Sequence, residues 1–370
     1  DDNSIIDSID VTDNTTPADT IAAEETLTIQ EAMRKGLQLM NSGNPTEAAQ
    51  WFEYAAGQGS VPATYYCGLL RFRGMGMPQD KKEGLNLLMK AAEQGMPAAQ
   101  LLVGKAYYDG DGIEQNYIRA AELFQKAAPY NGDAQWMLGQ CYLNGKGVAR
   151  NYHFATQWLV EPYKAKKKEF GELLLNDNEG PFSQYLMGLR KYYIDKDYNC
   201  AMECFKKAGK GDIEGLTMQG VCLATKDNPN RDLKKAAEIL TEASKNSDAA
   251  KYYLSTLYAE GLGVDKDEEK ALELLQKAAE GGIAYAQCRL ADRLFLGNGV
   301  PQDSVRAARL YLMAEQQHHL TQKGAANLAE CYRNGTEGLP DIENAEQRIS
   351  QLNKITDNKK LTEVLKALKN

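Results

Sequence analysis

The sequence predicts an all-α solenoid, an array of stacked helical hairpins, on three observations. A Gly-x-Gly element recurs at Gly74-Met75-Gly76, Gly110-Asp111-Gly112, Gly145-Lys146-Gly147, Gly261-Leu262-Gly263 and Gly297-Asn298-Gly299. The steps from Gly74 to Gly110, Gly110 to Gly145 and Gly261 to Gly297 are 36, 35 and 36 residues, a period that marks tandem repeats. Small residues keep step with it, and so do Asp or Asn residues placed to start a second helix.

The first helix of each unit leads with Ala63, Ala99, Ala134, Ala250 or Ala286, 11 residues before the first glycine. Five residues further on stand Gly68, Gly104, Gly139, Ser255 and Ala291, and Tyr107, Tyr142 and Tyr258 precede the turn by three. These offsets fall on one helical stripe, with small side chains where a second helix must come close. The turn follows, and its glycines supply positive φ cheaply.

Six residues after the first glycine, Asp80, Asn116, Asn151, Asp267 and Asp303 are N-caps for the second helix, each worth about 1 kcal/mol. Asp80 with Glu83 reads as a capping-box variant. Ala120, Leu123 and Ala127-Ala128, or Ala271, Leu274 and Ala278-Ala279, form the apolar stripe of the second helix, and Gly95 or Gly282 stops it.

The segment Ala106–Asn116, AYYDGDGIEQN, could be a calcium loop or a phosphate cradle as readily as a turn. Calcium fails because Ile113 stands where an oxygen ligand is needed. A phosphate cradle fails because no Lys-Ser/Thr pair follows, and the residue between the glycines varies freely.

The pattern A-x-x-x-L-G-x-x-Y-x-x-G-x-G-V…D-x-x-x-A-x-x-L-x-x-A-A-x-x-G closely resembles the Sel1-like repeat, a relative of the tetratricopeptide repeat. The best copies begin at Ala99, Ala134, Ala250 and Ala286; in the Ala63 copy Arg71 replaces the tyrosine. A degraded copy runs from Leu328 to Ala345, with Glu337 in place of the second loop glycine. Three units resemble plain tetratricopeptide hairpins, built around Ala32 to Ala55, Gly188 to Ala208, and Gly220 to Ala243. The resemblance implies a right-handed α–α superhelix with a concave inner surface.

Residues 1–27, rich in Asp, Ser and Thr, read as a disordered acidic tether. Residues 28–160 hold one tetratricopeptide-like hairpin and three Sel1-like repeats, 161–180 an irregular insert, and 181–350 further repeats of both kinds. Leu361, Val364, Leu365 and Leu368, spaced i, i+3, i+4, i+7, mark a capping helix within 351–370 that should cover the end of the last repeat.

Composition narrows the function classes. Hydrophobic residues at 43% and charged residues at 25% suit a soluble globular chain. A net charge of −8 argues against a broad nucleic-acid face, and no run of about 18 apolar residues predicts a membrane span. The acidic leader and the absent initiator Met favour an exported, periplasmic or surface-anchored protein of bacterial type, with cytoplasmic placement as the alternative.

Seven cysteines leave at least one unpaired in a monomer. Their spacing fits no zinc pattern, and most read as small buried apolar residues. Members of the family that staple each repeat by a disulfide space the two Cys eight residues apart, which no pair here does.

The three histidines, His153, His318 and His319, lie in no metal motif. No nucleophile elbow, S-x-x-K set or dinucleotide fingerprint occurs. No catalytic residue, cofactor or metal is therefore expected. Some members of the family are linked to β-lactam binding or hydrolysis, but the repeat carries no residues for that chemistry. The basic run Lys164-Ala165-Lys166-Lys167-Lys168 reads as the cover of a solvated helix, with attraction of an anionic partner as the alternative.

Family members usually act as adaptors, so the resemblance implies that protein or peptide binds along the concave face. Its geometry places two first-helix offsets there. The earlier includes Trp136 and Tyr252; the later includes Phe72, Tyr108, Tyr192 and Phe295, with Tyr193 adjacent. Arg73, Lys105 and Asp109 would add polar contacts. Twenty tyrosines are many for one chain, and Tyr and Trp suit a gripping surface. The alternative is a cell-envelope protein holding a glycan or small molecule, with weak hydrolytic activity as an option. Oligomeric state is not legible.

Overall fold

The computed structural model describes residues 28–177, 180–209, 212–356 and 359–368; the expected tether lies outside them. Every regular element among these residues is helical. Four hairpins come first: α1/α2 (Ile29–Asn41, Pro45–Gly57), α3/α4 (Val61–Arg73, Lys81–Glu93), α5/α6 (Pro97–Asp109, Tyr117–Ala127) and α7/α8 (Gly132–Asn144, Tyr152–Val160). A single helix, α9 (Lys167–Asp177), interrupts the array. Five hairpins follow: α10/α11 (Pro181–Arg190, Tyr198–Ala208), α12/α13 (Ile213–Ala224, Leu233–Ala243), α14/α15 (Asp248–Glu260, Glu268–Glu280), α16/α17 (Ala284–Leu296, Ser304–Gln316) and α18/α19 (Gln322–Arg333, Ala345–Leu352). The chain closes with α20 (Lys360–Ala367). α9 fills much of the stretch expected to be irregular, because Phe170 gives it a fully buried anchor.

Within each hairpin the small residue of the first helix is a socket. A Cβ on Gly104 would overlap the Phe124 ring, and one on Gly139 or Gly220 would meet Leu159 or Leu240. The second-helix stripe is accordingly shifted by one residue: Phe124 and Leu275 are buried, while Leu123 and Leu274 are half-buried. The predicted caps form, with Asn116 Oδ1 accepting from Arg119 N at 3.1 Å and Asp303 Oδ1 from Arg306 N at 2.8 Å. Asp80 accepts from Glu83 N, but the Glu83 carboxylate accepts from Asn86 instead of returning the bond. A reciprocal capping box forms at Thr28 and Glu31.

The turns are built as their glycines require. Gly110 caps α5 in the left-handed region at φ 72°, and its N–H donates to Ala106 O. The second glycine of the pair does more than bend. A Cβ on Gly147 would overlap the Tyr117 carbonyl at the start of α6. The turn of one hairpin thus sits directly on the preceding hairpin, which fixes their spacing. Gln79, Gln115 and Gln302, each just before an N-cap, donate to the carbonyls of Phe72, Tyr108 and Phe295 at 2.9–3.0 Å and lock the turn from the other side.

The array also closes on itself. Gln157 of α8 donates to Gln317, just after α17, at 3.0 Å, and Gln135 of α7 lies 3.1 Å from His318. The capping-helix expectation is corrected here. α20 forms, but it packs against α8, α10 and the π-helical turn Lys191–Asp195, in the middle of the array. Its apolar stripe finds tyrosine and leucine walls there.

Candidate functional site

α8 has no Asp, Glu, Lys or Arg, whereas a second helix with a solvated outer face carries charges. It is buried almost all round, from Ala155 to Val160. One side of it, with α10, the π-helical turn, Tyr253, Tyr285 and α20, encloses a cavity of about 210 Å³. The walls include His153, Thr156, Gln157, Tyr185, Tyr193 and His319.

Tyr193 is 40% exposed and lines this cavity. Burial, with Tyr192 and Tyr285 nearby, pushes its phenol up, and Tyr253 shares a hydrogen bond with it. Tyr285 is 49% exposed and its ring stacks on His319, centroids 6.0 Å apart. Burial, then the neighbouring His319, brings His153 down to about 4. Both imidazoles are pushed toward the neutral form, since burial lowers His319 as well. The Thr156 hydroxyl is buried without a hydrogen-bond partner, which is unfavourable unless something meets it.

The sequence-predicted partner residues divide into groups. Tyr192, Tyr193 and Tyr252 come together: Tyr192 stands edge-on to Tyr193, and Tyr252 edge-on to Tyr253. Tyr192 is tied down, its hydroxyl 2.7 Å from Thr225 Oγ1. Phe72, Tyr108 and Phe295 stand apart from that cluster, half-buried at the ends of α3, α5 and α16. Phe72 lies against the Gly84 backbone, and Tyr108 packs edge-on to Tyr117 under the Lys146 ammonium, 4.7 Å from its ring. Arg73 and Asp109 are exposed beside them, and Lys105 is half-buried. Trp136 does not present its ring: it is 8% exposed and packs toward Phe170 of α9.

Sequence reasoning missed His153, Thr156, Gln157, Tyr285 and His319. The one available signal was the uncharged run of α8, at a position where second helices carry charges. The basic run of the insert is largely neutralised: Lys166 pairs with Asp133 at 2.6 Å and Lys164 with Glu363 at 3.4 Å. Among the described residues no group of three metal-ligating side chains converges, and no helix is long and apolar enough to cross a membrane.

A second buried cluster lies at the start of α12. Glu214, 1% exposed, accepts from Asn151 Nδ2 at 3.1 Å and Ser247 Oγ at 3.0 Å. Burial pushes its carboxyl up to about 7. Five cysteines are buried, and no disulfide links any of the seven. Burial pushes the thiols of Cys67, Cys141 and Cys222 up to about 11.

Among curated proteins, the chain is 27% identical over 184 residues to cytochrome c oxidase assembly factor 7A of Xenopus laevis, covering 45% of this chain and 79% of that protein. It is 31% identical over 109 residues to human protein sel-1 homolog 2, covering 29% of this chain and 16% of that protein. Among solved structures, a protective antigen of uropathogenic Escherichia coli matches at 23% identity and a TM-score of 0.37, over 92% of this chain and 87% of that one. A Sel1 repeat protein from Oxalobacter formigenes matches at 22% identity and a TM-score of 0.33, over 76% and 96%. The Sel1 repeat pattern itself matches residues 33–60, 61–96, 97–128, 132–160, 181–212, 248–283, 284–319 and 322–347. With most of its length made of these units, folded as stacked hairpins, the chain belongs to the Sel1-repeat family.

Proposed function

We propose that this protein is a non-catalytic scaffold that binds a protein partner through the inner face of its middle hairpins. The observation that carries this reading is the tyrosine cluster there. Tyr193 and Tyr285 remain open to solvent in a surface otherwise walled by packed side chains. Rigid aromatic rings with a polar tip are suited to gripping a partner at low entropic cost. The relative named as an assembly factor supports a role in handling other proteins.

Two further points favour a scaffold over an enzyme or a small-molecule receptor. The raised thiols of Cys67, Cys141 and Cys222 lie in the core and Glu214 is enclosed by its hydrogen-bond partners, so none of these groups stands beside the cavity. The cavity, at about 210 Å³, is smaller than the roughly 300 Å³ where ligand pockets begin.

Tyr193→Ala with Tyr285→Ala tests the proposal, because neither ring belongs to the fully buried core. Wild type and the double variant are immobilised and exposed to lysate of the source cells, and the retained proteins are quantified. Proteins held by the wild type should be lost from the variant while the two melt within about 2 °C of each other. Identical retained sets would sink the reading.

A further inference from the structure

We propose that the seat of α20 is a receptor for a short amphipathic helix supplied by another protein, and that α20 is its resident competitor. The inference rests on the scaffold reading and names the class of partner. The structure shows what this surface accepts. Val364 and Leu365 are buried in it, with Leu361 and Leu368 partly buried beside them. Both ends are held by charge: Lys360 pairs with Glu161, whose side chain is 1% exposed, and Arg190 donates to the Leu368 carbonyl. A matching partner helix carries aliphatic residues at i, i+3, i+4 and i+7, a basic residue at its start, and a free carbonyl at its end.

Three features make α20 a replaceable tenant. It spans only eight residues, a length at which an isolated helix is barely stable. It docks on α8 and α10, about 170 to 210 positions away in sequence, rather than on the last hairpin. It also fits imperfectly. Leu361 and Leu365 line a cavity of which Thr156 is also a wall. The space is wide enough to hold water, so α20 leaves it unfilled by protein. A helix with a larger side chain at the Leu361 position would fill more of that space.

The probe is a fluorescein-labelled peptide of residues 359–368, KKLTEVLKAL, measured by anisotropy against the full chain. In the wild type the tethered α20 competes at a local concentration near the millimolar range, so binding should be weak. In a full chain carrying Val364→Asp and Leu365→Asp, α20 is ejected, and the peptide should bind at least 10-fold more tightly. Lys360→Glu, which sets like charges against each other at Glu161 without touching the apolar stripe, should give a smaller gain. A peptide with Tyr at the Leu361 position should bind the ejected chain at least fivefold more tightly than the native peptide.

Equal affinity for wild type and both variants, or no binding to variants that melt as the wild type does, overturns the proposal. So does a Tyr peptide no tighter than the native one. If these arms fail while Tyr193- and Tyr285-dependent retention persists, the scaffold reading survives without the helix receptor. If that retention is absent, the scaffold reading itself falls.

Discussion

Glu214 and His153 respond to pH in opposite directions. Folded Glu214 keeps its proton up to about 7 against an ordinary 4.5. Its contribution is therefore complete below 4.5 and is lost as pH rises through 7, by about 3 kcal/mol at most. Folded His153 resists protonation down to about 4 against 6.5, so its contribution is present above 6.5 and lost as pH falls through 4. The two slopes offset each other between about pH 4.5 and 6.5. His319, lowered by burial, and Asp212, raised by burial, shift in the same senses as these neighbours. Thermal melts of the wild type should therefore vary little across that window. Glu214→Gln should make the midpoint rise with pH, and His153→Gln should make it fall. Slopes of the same sign in both variants would refute these assignments.

At the scale of the element, the second turn glycine at Gly76, Gly147 and Gly263 is a spacing device as well as a bend. Gly147 and Gly95 both lie at positive φ, 77° and 86°. An added Cβ meets the Tyr117 carbonyl at Gly147 and nothing within 4 Å at Gly95. Gly95→Ala should cost about 1–2 kcal/mol, from backbone strain alone, and Gly147→Ala clearly more, about 3 kcal/mol or above. Equal losses by urea denaturation would show that the turn does not bear on the preceding helix. Features of this kind were legible in the sequence because they recur: Ala99, Gly104, the turn glycines and Asn116 return in phase. The one-residue shift from Leu123 to Phe124 was not, since either residue continues a plausible stripe until the Gly104 socket selects one. α9 escaped because a single helix has no second copy to set its phase.

At the scale of the whole molecule, the informative contacts join residues far apart. Gln157 with Gln317, Gln135 with His318, and Lys360 with Glu161 are separated by 160, 183 and 199 positions. They repeat nowhere, so periodicity is blind to them. The candidate site was correspondingly half visible. Tyr192, Tyr193 and Tyr252 could be named from their offsets, while His153, Thr156 and Tyr285 join them only through the curvature of the array. Gln317 is the hub of the closure, accepting from Gln157 and donating to Gln287 Oε1 at 2.9 Å. Gln317→Ala should speed amide hydrogen exchange in α8 and α17 together and leave α1 and α2 unchanged, since solenoids transmit stability mainly to neighbours. Faster exchange confined to α17 would mean that the bridge carries no coupling.

That bridge limits how the molecule can deform. A solenoid open at both ends can flex along its whole length to suit a cargo. Here the seventh and eighth helices are pinned to the loop that follows the seventeenth. Breathing is then concentrated outside the clasp, in the three leading hairpins and in the last one. A cargo that needs the middle of the curve to straighten would first have to unfasten a small set of glutamine and histidine contacts.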